Sequence, residues 1–175
     1  MRTHVLLSIL LSFFLAVSTV DAAAQKVAKE DPFVCTPCGS SCDGITHNRA
    51  GNCEHCHMPL VRRSTVVHSA TAPGGVCAWI AAHPGALLLD VRTAAEFAAK
   101  DGAPPTFRGA INIPVQELPA RMSELDRYKD RTVLVFCSHS HRSPQASYML
   151  TQAGFKKVVN MSGGLSILTD HSCAQ

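Results

Sequence analysis

The sequence predicts an α/β fold, a parallel sheet covered by helices on both faces, preceded by a small cysteine-rich module. Three observations predict it. Short strand-like runs at Ala86–Leu89, Ala110–Ile113, Val133–Phe136 and Lys157–Asn160 alternate with helix-forming segments, the pattern of a parallel sheet with helical crossovers. Ala86–Leu89 and Val133–Phe136 are unbroken apolar runs, as expected of strands buried on both faces. Five of the eight cysteines fall between Cys35 and Cys56, in a segment with too few apolar residues for a core of its own.

In chain order, Met1–Ala24 reads as a secretory signal. Arg2 supplies the positive start and Val5–Val20 an apolar run interrupted only by Ser and Thr. Val20-Asp21-Ala22 and Ala22-Ala23-Ala24 are both small-residue cleavage sites. The alternative is an uncleaved anchor, for which the run is short. Cleavage places the mature protein outside the cytoplasm, periplasmic or secreted, with no stable membrane insertion. The net charge of +3 is too mild to argue for a nucleic acid or an anionic membrane surface. With one Trp and two Tyr there is no basic stripe interleaved with aromatics, so no nucleic-acid partner is expected.

Gln25–Pro32 is a short polar linker, and Phe33–Val61 follows as the cysteine-rich module. Cys35-x(2)-Cys38 and Cys53-x(2)-Cys56 are two knuckles with 14 residues between Cys38 and Cys53. Each knuckle turns two thiolates toward one ion, so the pair predicts tetrahedral coordination of a structural Zn2+ by Cys35, Cys38, Cys53 and Cys56. Disulfides are the alternative in an oxidising compartment, although five cysteines cannot all pair among themselves. Cys42, His47, His55 and His57 remain alternative ligands. The ending Cys53-Glu54-His55-Cys56-His57-Met58-Pro59-Leu60 is similar to the C-P-x-C-G-M-x-L ending of heavy-metal-binding zinc-ribbon domains. His57 stands where that family usually has Gly, and Glu54 where it has Pro.

Arg62–Gly75 reads as a connection between domains, with one short strand at Thr65–Val67. The second domain, residues 76–170, opens with a short helix at Val76–Ala82 that stops at His83-Pro84-Gly85. Asp90-Val91-Arg92 closes the first strand, and a charged residue at a buried strand end must be paired. Thr93 is placed to N-cap a helix through Ala99, with Glu96 at the capping-box position. Gly102–Pro105 is loop, and Gln116–Leu125 holds a short helix. Cys77 reads as a buried small hydrophobe. Cys173 reads as a free tail thiol, with pairing to another cysteine or resolution of a persulfide as alternatives.

The chemistry concentrates in Val133–Ser143. Cys137 ends a buried strand, and Ser138–Arg142 is a polar loop. Ser143-Pro144 is a good cap and first-turn pair for a helix over Gln145–Ala153, stopped at Gly154. A thiol at a helix N-terminus lies where backbone N–H groups and the dipole favour an anion, so it tends toward a nucleophilic thiolate. Arg142 adds a fixed positive charge and a forked donor. In an open parallel sheet the site lies at the strand C-termini, where Cys137 is.

These residues resemble a rhodanese domain. The match is C-x(4)-R-S, here Cys137, Arg142 and Ser143. It extends to Leu88–Arg92, Glu96-Phe97, Gly109–Pro114, Gly154-Phe155, Val159–Met161 and Gly163–Leu165. The resemblance covers roughly residues 73–168. It implies a rhodanese-like parallel sheet and a sulfurtransferase that moves sulfane sulfur from a small-molecule donor such as thiosulfate to a thiol or cyanide acceptor. Cys137 is then the catalytic nucleophile, and Ser138, His139, Ser140, His141, Arg142 and Ser143 bind substrate. Arg142 serves the donor's oxyanion or steadies the loop carbonyls. Four residues between Cys and Arg fit sulfur transfer, whereas related phosphatases and arsenate reductases have five there. Three positions depart from the family. Ser140 stands at a common Gly, Thr106 at the His of the family's G-H-I-P-G-A segment, and Leu168 at a frequent Trp.

Two other readings compete. A metal-handling protein would use the Cys/His-rich ribbon and the Cys137/His139/His141 loop to bind soft or transition metals. A non-catalytic module would only bind a partner. The bland reading of His139 and His141 is two exposed loop histidines.

Overall fold

Two apolar runs form the middle of the sheet. In the computed structural model, which describes residues 30–175, these are β4 (Leu87–Asp90) and β6 (Thr132–Phe136). The expected leader, Met1–Ala24, lies outside the described residues. The other strands are β3 (Ser69–Thr71), β5 (Ile111–Asn112) and β7 (Lys157–Met161). The five lie in the order β3-β7-β6-β4-β5, and every neighbouring pair is parallel. Register is set by side-chain alternation. Leu87, Leu89, Val133, Val135 and Val158 point to one face; Leu88, Leu134, Phe136 and Met161 point to the other.

Helices cover both faces. On the first face lie α3 (Leu118–Arg121), the following 3-10 turns Met122–Tyr128, and α4 (Arg142–Gln152). On the second lies α1 (Val76–Ala82), with Phe107 edge-on to Phe136 at 4.7 Å between ring centroids. The α/β sheet covered on both faces is therefore as expected. α2 (Ala94–Phe97) is a single turn that begins at the predicted Thr93 cap, with both halves of the capping box present. It ends short of Ala99, because Ala99 and Asp101 adopt positive φ.

Part of the segment expected to be a connection, Arg62–Gly75, joins the sheet. Its strand is β3, four residues beyond the expected start at Thr65, and it pairs with β7 through Ser69–Val159 and Thr71–Met161. Thr65 itself lies in a 3-10 turn.

In the cysteine-rich module β1 (Phe33–Val34) pairs antiparallel with β2 (Val61–Arg62). Its core is mostly sulfur: Cys35, Cys38, Cys42, Cys53, Met58 and Leu60 are buried together. The module rests on the sheet, where Asn160 Nδ2 donates to Pro37 O at 3.2 Å. No helix among the described residues is long and apolar enough to cross a membrane.

One correction concerns the outlying thiols. Cys77 and Cys173 form a disulfide across 96 residues of sequence, so Cys173 is not a free tail thiol and Cys77 is not a plain apolar filler. Backbone bonds tie the tail to the Thr106–Arg108 segment. Arg108 N donates to Cys173 O at 3.0 Å, and Gln175 N to Thr106 O at 2.9 Å. A bridge across so long a loop removes much unfolded-chain entropy, and its loss is expected to cost about 2–5 kcal/mol. Thermal unfolding with and without reductant checks this. The parent should lose stability on reduction, whereas Cys173→Ala should start lower and not respond.

Candidate active site

Cys137 follows β6 directly and is 1% exposed. Its Sγ donates to Ser143 Oγ at 3.4 Å, and Ser143 is buried in the first turn of α4. The helix begins at Arg142, one residue before the expected cap at Ser143 and three before Gln145, so the loop from strand to helix is short. The N–H groups of that first turn have no acceptor within the helix. Behind the loop the carbonyls of Cys137 and Ser138 accept from Leu165 N and Ser166 N at 2.8 and 3.0 Å.

Those two bonds depend on Gly164. Its φ of +76° with ψ of −178° is a conformation close to glycine-only. A Cβ there would lie 2.2 Å from Ser138 O and 2.4 Å from Ser138 C.

The front of the loop is clamped by Glu96. Arg142 Nη1 donates to Oε2 at 2.6 Å and Nη2 to Oε1 at 2.8 Å, and the Ser138 hydroxyl donates to Oε1 at 2.9 Å. Thr93 N and Oγ1 complete the set at 3.0 and 2.9 Å. The capping-box acid of α2 is thus also the counter-ion of the loop. Both terminal nitrogens of Arg142 go to Glu96, so it braces the loop through that carboxylate rather than by bonding the loop carbonyls. The Arg142 guanidinium holds the Glu96 carboxyl far below the usual carboxylate range, against the opposing effect of burial. In return, Arg142 is pushed up.

A group with a depressed pKa stabilises the fold at pH above its unfolded value, near 4.5, and loses that contribution as pH falls toward the folded value. The clamp should therefore be constant from about pH 8 to about pH 5 and weaken only in stronger acid. Glu96→Gln is expected to cost on the order of 2 kcal/mol at neutral pH and to flatten the acid limb of the stability profile. Denaturant titrations across pH on both proteins test it.

A second carboxylate holds the neighbouring strand end. Asp90 and Arg92 are fully buried and paired, Arg92 Nη2 to Asp90 Oδ2 at 2.7 Å. Asp90 also accepts from Arg92 Nε, from Arg92 N and from the Thr106 hydroxyl at 2.9 Å. Arg92 Nη1 reaches Pro104 O at 2.8 Å. The expected partnership of Asp90 and Arg92 is present, and Thr106 supplies a hydroxyl donor to it.

Of the expected substrate-binding residues, Ser138, Ser140 and Ser143 are buried while His139 and His141 are exposed. Ser140 takes φ +59°, the left-handed conformation for which a Gly would be suited, and its buried Oγ has no partner. Beside the loop opens a cleft of about 670 Å³, lined by Glu96, Lys100, Pro104, Ser138, His139 and Ser166 among others. Cys137, His139 and His141 do not converge as a ligand set. Among the described residues, the groups of three or more ligand atoms all lie in the ribbon. The geometry therefore does not support a metal site in the loop.

In the ribbon the converging set differs from the expected one in a single member. Cys35, Cys42, Cys53 and Cys56 lie together, and Cys38 forms a second group with Cys42 and Asp43. Cys38 Sγ donates to Asp43 Oδ1 at 3.4 Å. Burial first, and then the neighbouring thiols, raises Cys35 above the ordinary thiol range and lifts Cys42 to about 12. Cys53, raised by burial but turned down by the N–H groups of Cys56 and His55 and by the Cys35 thiol, settles at about 7.

Comparison with known proteins agrees with this geometry. The profile of the rhodanese-like domain matches residues 77–169. A sulfurtransferase of Allochromatium vinosum is 40% identical over 85 residues, covering 49% of this chain and 73% of that protein. A tRNA uridine(34) hydroxylase of Acinetobacter baumannii is 32% identical over 83 residues, and the match spans 25% of its length. Among solved structures, a rhodanese-related protein of Thermoplasma volcanium superposes with a TM-score of 0.50 at 25% identity, over 60% of this chain and 94% of that one. A rhodanese-like domain protein of Staphylococcus aureus shares the fold, with a TM-score of 0.50 at 20% identity over 59% of this chain and 94% of that one.

Proposed function

Because the chain belongs to the rhodanese-like domain family, we propose that it is a sulfurtransferase whose carrier is a persulfide on Cys137. The observation that carries this is the placement of that thiol. It sits at the C-terminal end of a central parallel strand and before the first turn of α4, in a loop braced from behind by Leu165 and Ser166 and in front by Glu96.

In the first half-reaction the Cys137 thiolate attacks the outer sulfur of the donor. A sulfur–sulfur bond forms at Cys137 as the donor's own sulfur–sulfur bond breaks, and the leaving group departs with that electron pair, as sulfite when the donor is thiosulfate. In the second, a thiol or cyanide acceptor attacks the terminal sulfur and Cys137 leaves as thiolate. No net oxidant or reductant is consumed. The helix N-terminus and the loop N–H groups stabilise the persulfide anion. The cleft edge at Ser138 and His139 is the side from which donor and acceptor arrive. Arg142 contributes by holding the loop in shape through Glu96.

The site of action is proposed to be outside the cytoplasm, periplasmic or secreted. The leader-like sequence of Met1–Ala24 supports this, and so does the Cys77–Cys173 disulfide, since such bonds persist in oxidising compartments.

Steady-state transfer from thiosulfate to cyanide tests the reading. A double displacement gives parallel double-reciprocal lines, and Cys137→Ser should be inactive. Transfer by Cys137→Ser at the parental rate would overturn it.

A further inference from the structure

The Cys137 chemistry uses the catalytic loop and leaves the far wall of the adjoining cleft without a role. The cleft begins at Ser138 and His139, next to Cys137, and is bounded on its other side by Glu96, Lys100, Asp101 and Pro104. Its volume of about 670 Å³ falls in the range of pockets that take organic ligands, about 300–1,000 Å³, and far exceeds an ion as small as thiosulfate.

That wall is held in place at both ends. It starts from α2, whose capping acid Glu96 also holds Arg142 and Ser138 of the loop. It ends at Pro104, whose carbonyl accepts from the buried Arg92 at 2.8 Å. Between them Ala103 N donates to Lys100 O at 3.1 Å. Ala99 and Asp101, on either side of Lys100, take φ of +51° and +56°, and neither is a glycine. Left-handed backbone at such residues is costly; it persists where the surroundings over-determine it, and it gathers at active sites and ligand clamps. Lys100 therefore sits on a stiff turn that shares an anchor, Glu96, with the catalytic loop.

The charges on this wall are available to a ligand. The Glu96 carboxylate is taken up by Arg142. Lys100 and Asp101 are exposed and form no ion pair among the described residues. A cation and an anion side by side suit a ligand that carries both carboxylate and ammonium groups. Such a ligand, with its sulfur at Cys137, extends across Ser138 and His139 to reach them.

We propose that the sulfur acceptor is a small peptide thiol, whose carboxylate is held by Lys100 and whose ammonium is held by Asp101. This rests on the Cys137 sulfurtransferase reading and names the substrate class of its second half-reaction. The acceptor thiolate forms a bond to the terminal sulfur as that sulfur's bond to Cys137 breaks. Cys137 leaves as thiolate with the electron pair, and the proton stays on the transferred sulfur.

The test uses the full-length mature protein, its Cys137 loaded with sulfur from thiosulfate or a persulfide donor and then freed of excess donor. Unloading is followed by intact mass at equal thiolate concentration of two acceptors. One is glutathione, a peptide thiol with carboxylate and ammonium groups; the other is uncharged 2-mercaptoethanol. Glutathione is expected to unload the parent faster, by about ten-fold or more. In Lys100→Gln that preference should fall about ten-fold, and Lys100→Arg should restore most of it. Asp101→Asn, which keeps a residue tolerant of left-handed backbone, should lower it in the same direction. Added salt should reduce the parental preference. Equal unloading by the two thiols in the parent, or the parental preference in Lys100→Gln, would overturn the proposal while leaving the Cys137 persulfide in place. A parent that never takes up sulfur would overturn the Cys137 reading, and the proposal with it.

Discussion

Gly164→Ala should abolish most sulfur transfer while leaving Cys137 chemically intact. The new methyl would sit 2.2 Å from Ser138 O and 2.7 Å from Cys137 O, both backbone atoms that cannot swing aside. The loop must then shift by about 1 Å, a misplacement that costs roughly a hundred-fold in rate. The φ of +76° adds about 1–3 kcal/mol of backbone strain. Gly163→Ala is the neighbouring control. Its φ of +82° is also positive, but its Cβ meets only side-chain atoms, the exposed end of Ile167 at 2.5 Å and Pro73 Cγ at 3.2 Å. Gly164→Ala should lose more stability than Gly163→Ala, because its clash is with backbone, and far more of kcat/KM. Equal activity in both would remove the Gly164 turn from the account of the loop.

Arg92→Met should be the most destabilising single change in the domain. It leaves the Asp90 carboxylate buried with only Arg92 N and the Thr106 hydroxyl as partners. Breaking a fully buried ion pair from one side typically costs about 3–5 kcal/mol. For a domain of this size that corresponds to a fall in Tm of about 10 °C. The double variant Asp90→Leu/Arg92→Met should recover much of the loss, because no unpaired charge then remains inside. Chemical denaturation of the two single variants and the double gives the coupling directly. Additive losses would mean that the pair is not the unit the structure suggests.

The parts of this protein legible in its sequence are those fixed by local pattern. The runs at Ala86–Leu89 and Val133–Phe136 became β4 and β6 with shifts of one residue, because a strand buried on both faces needs continuous apolar side chains. The Thr93–Glu96 capping box was readable because both halves lie within one turn. The two positions where a family Gly is replaced, Ser140 and His57, both take positive φ, at 59° and 58°. The substitutions thus marked the backbone demand even though the residues themselves do not favour it.

What was not legible depends on distance in the chain. Glu96 and Arg142 are 46 residues apart, and the capping box already accounted for Glu96, so nothing in the pattern suggested a second role. Cys42 lies outside the knuckle spacing and was readable only as an alternative ligand, because the chain path that turns it in beside Cys35, Cys53 and Cys56 is tertiary. Cys77 and Cys173 are brought together by the tail crossing to α1, which no periodicity encodes. β3 is three residues long with no apolar run, and it is a strand only because the edge of β7 is there to pair with it.

The central claim is that Cys137 carries the transferred sulfur. Intact-mass analysis of the purified mature protein, with and without thiosulfate, tests it directly. The account predicts a gain of one sulfur atom's mass that cyanide removes and that Cys137→Ser never shows. No added sulfur from thiosulfate or from a persulfide donor, or the same gain in Cys137→Ser, would contradict it.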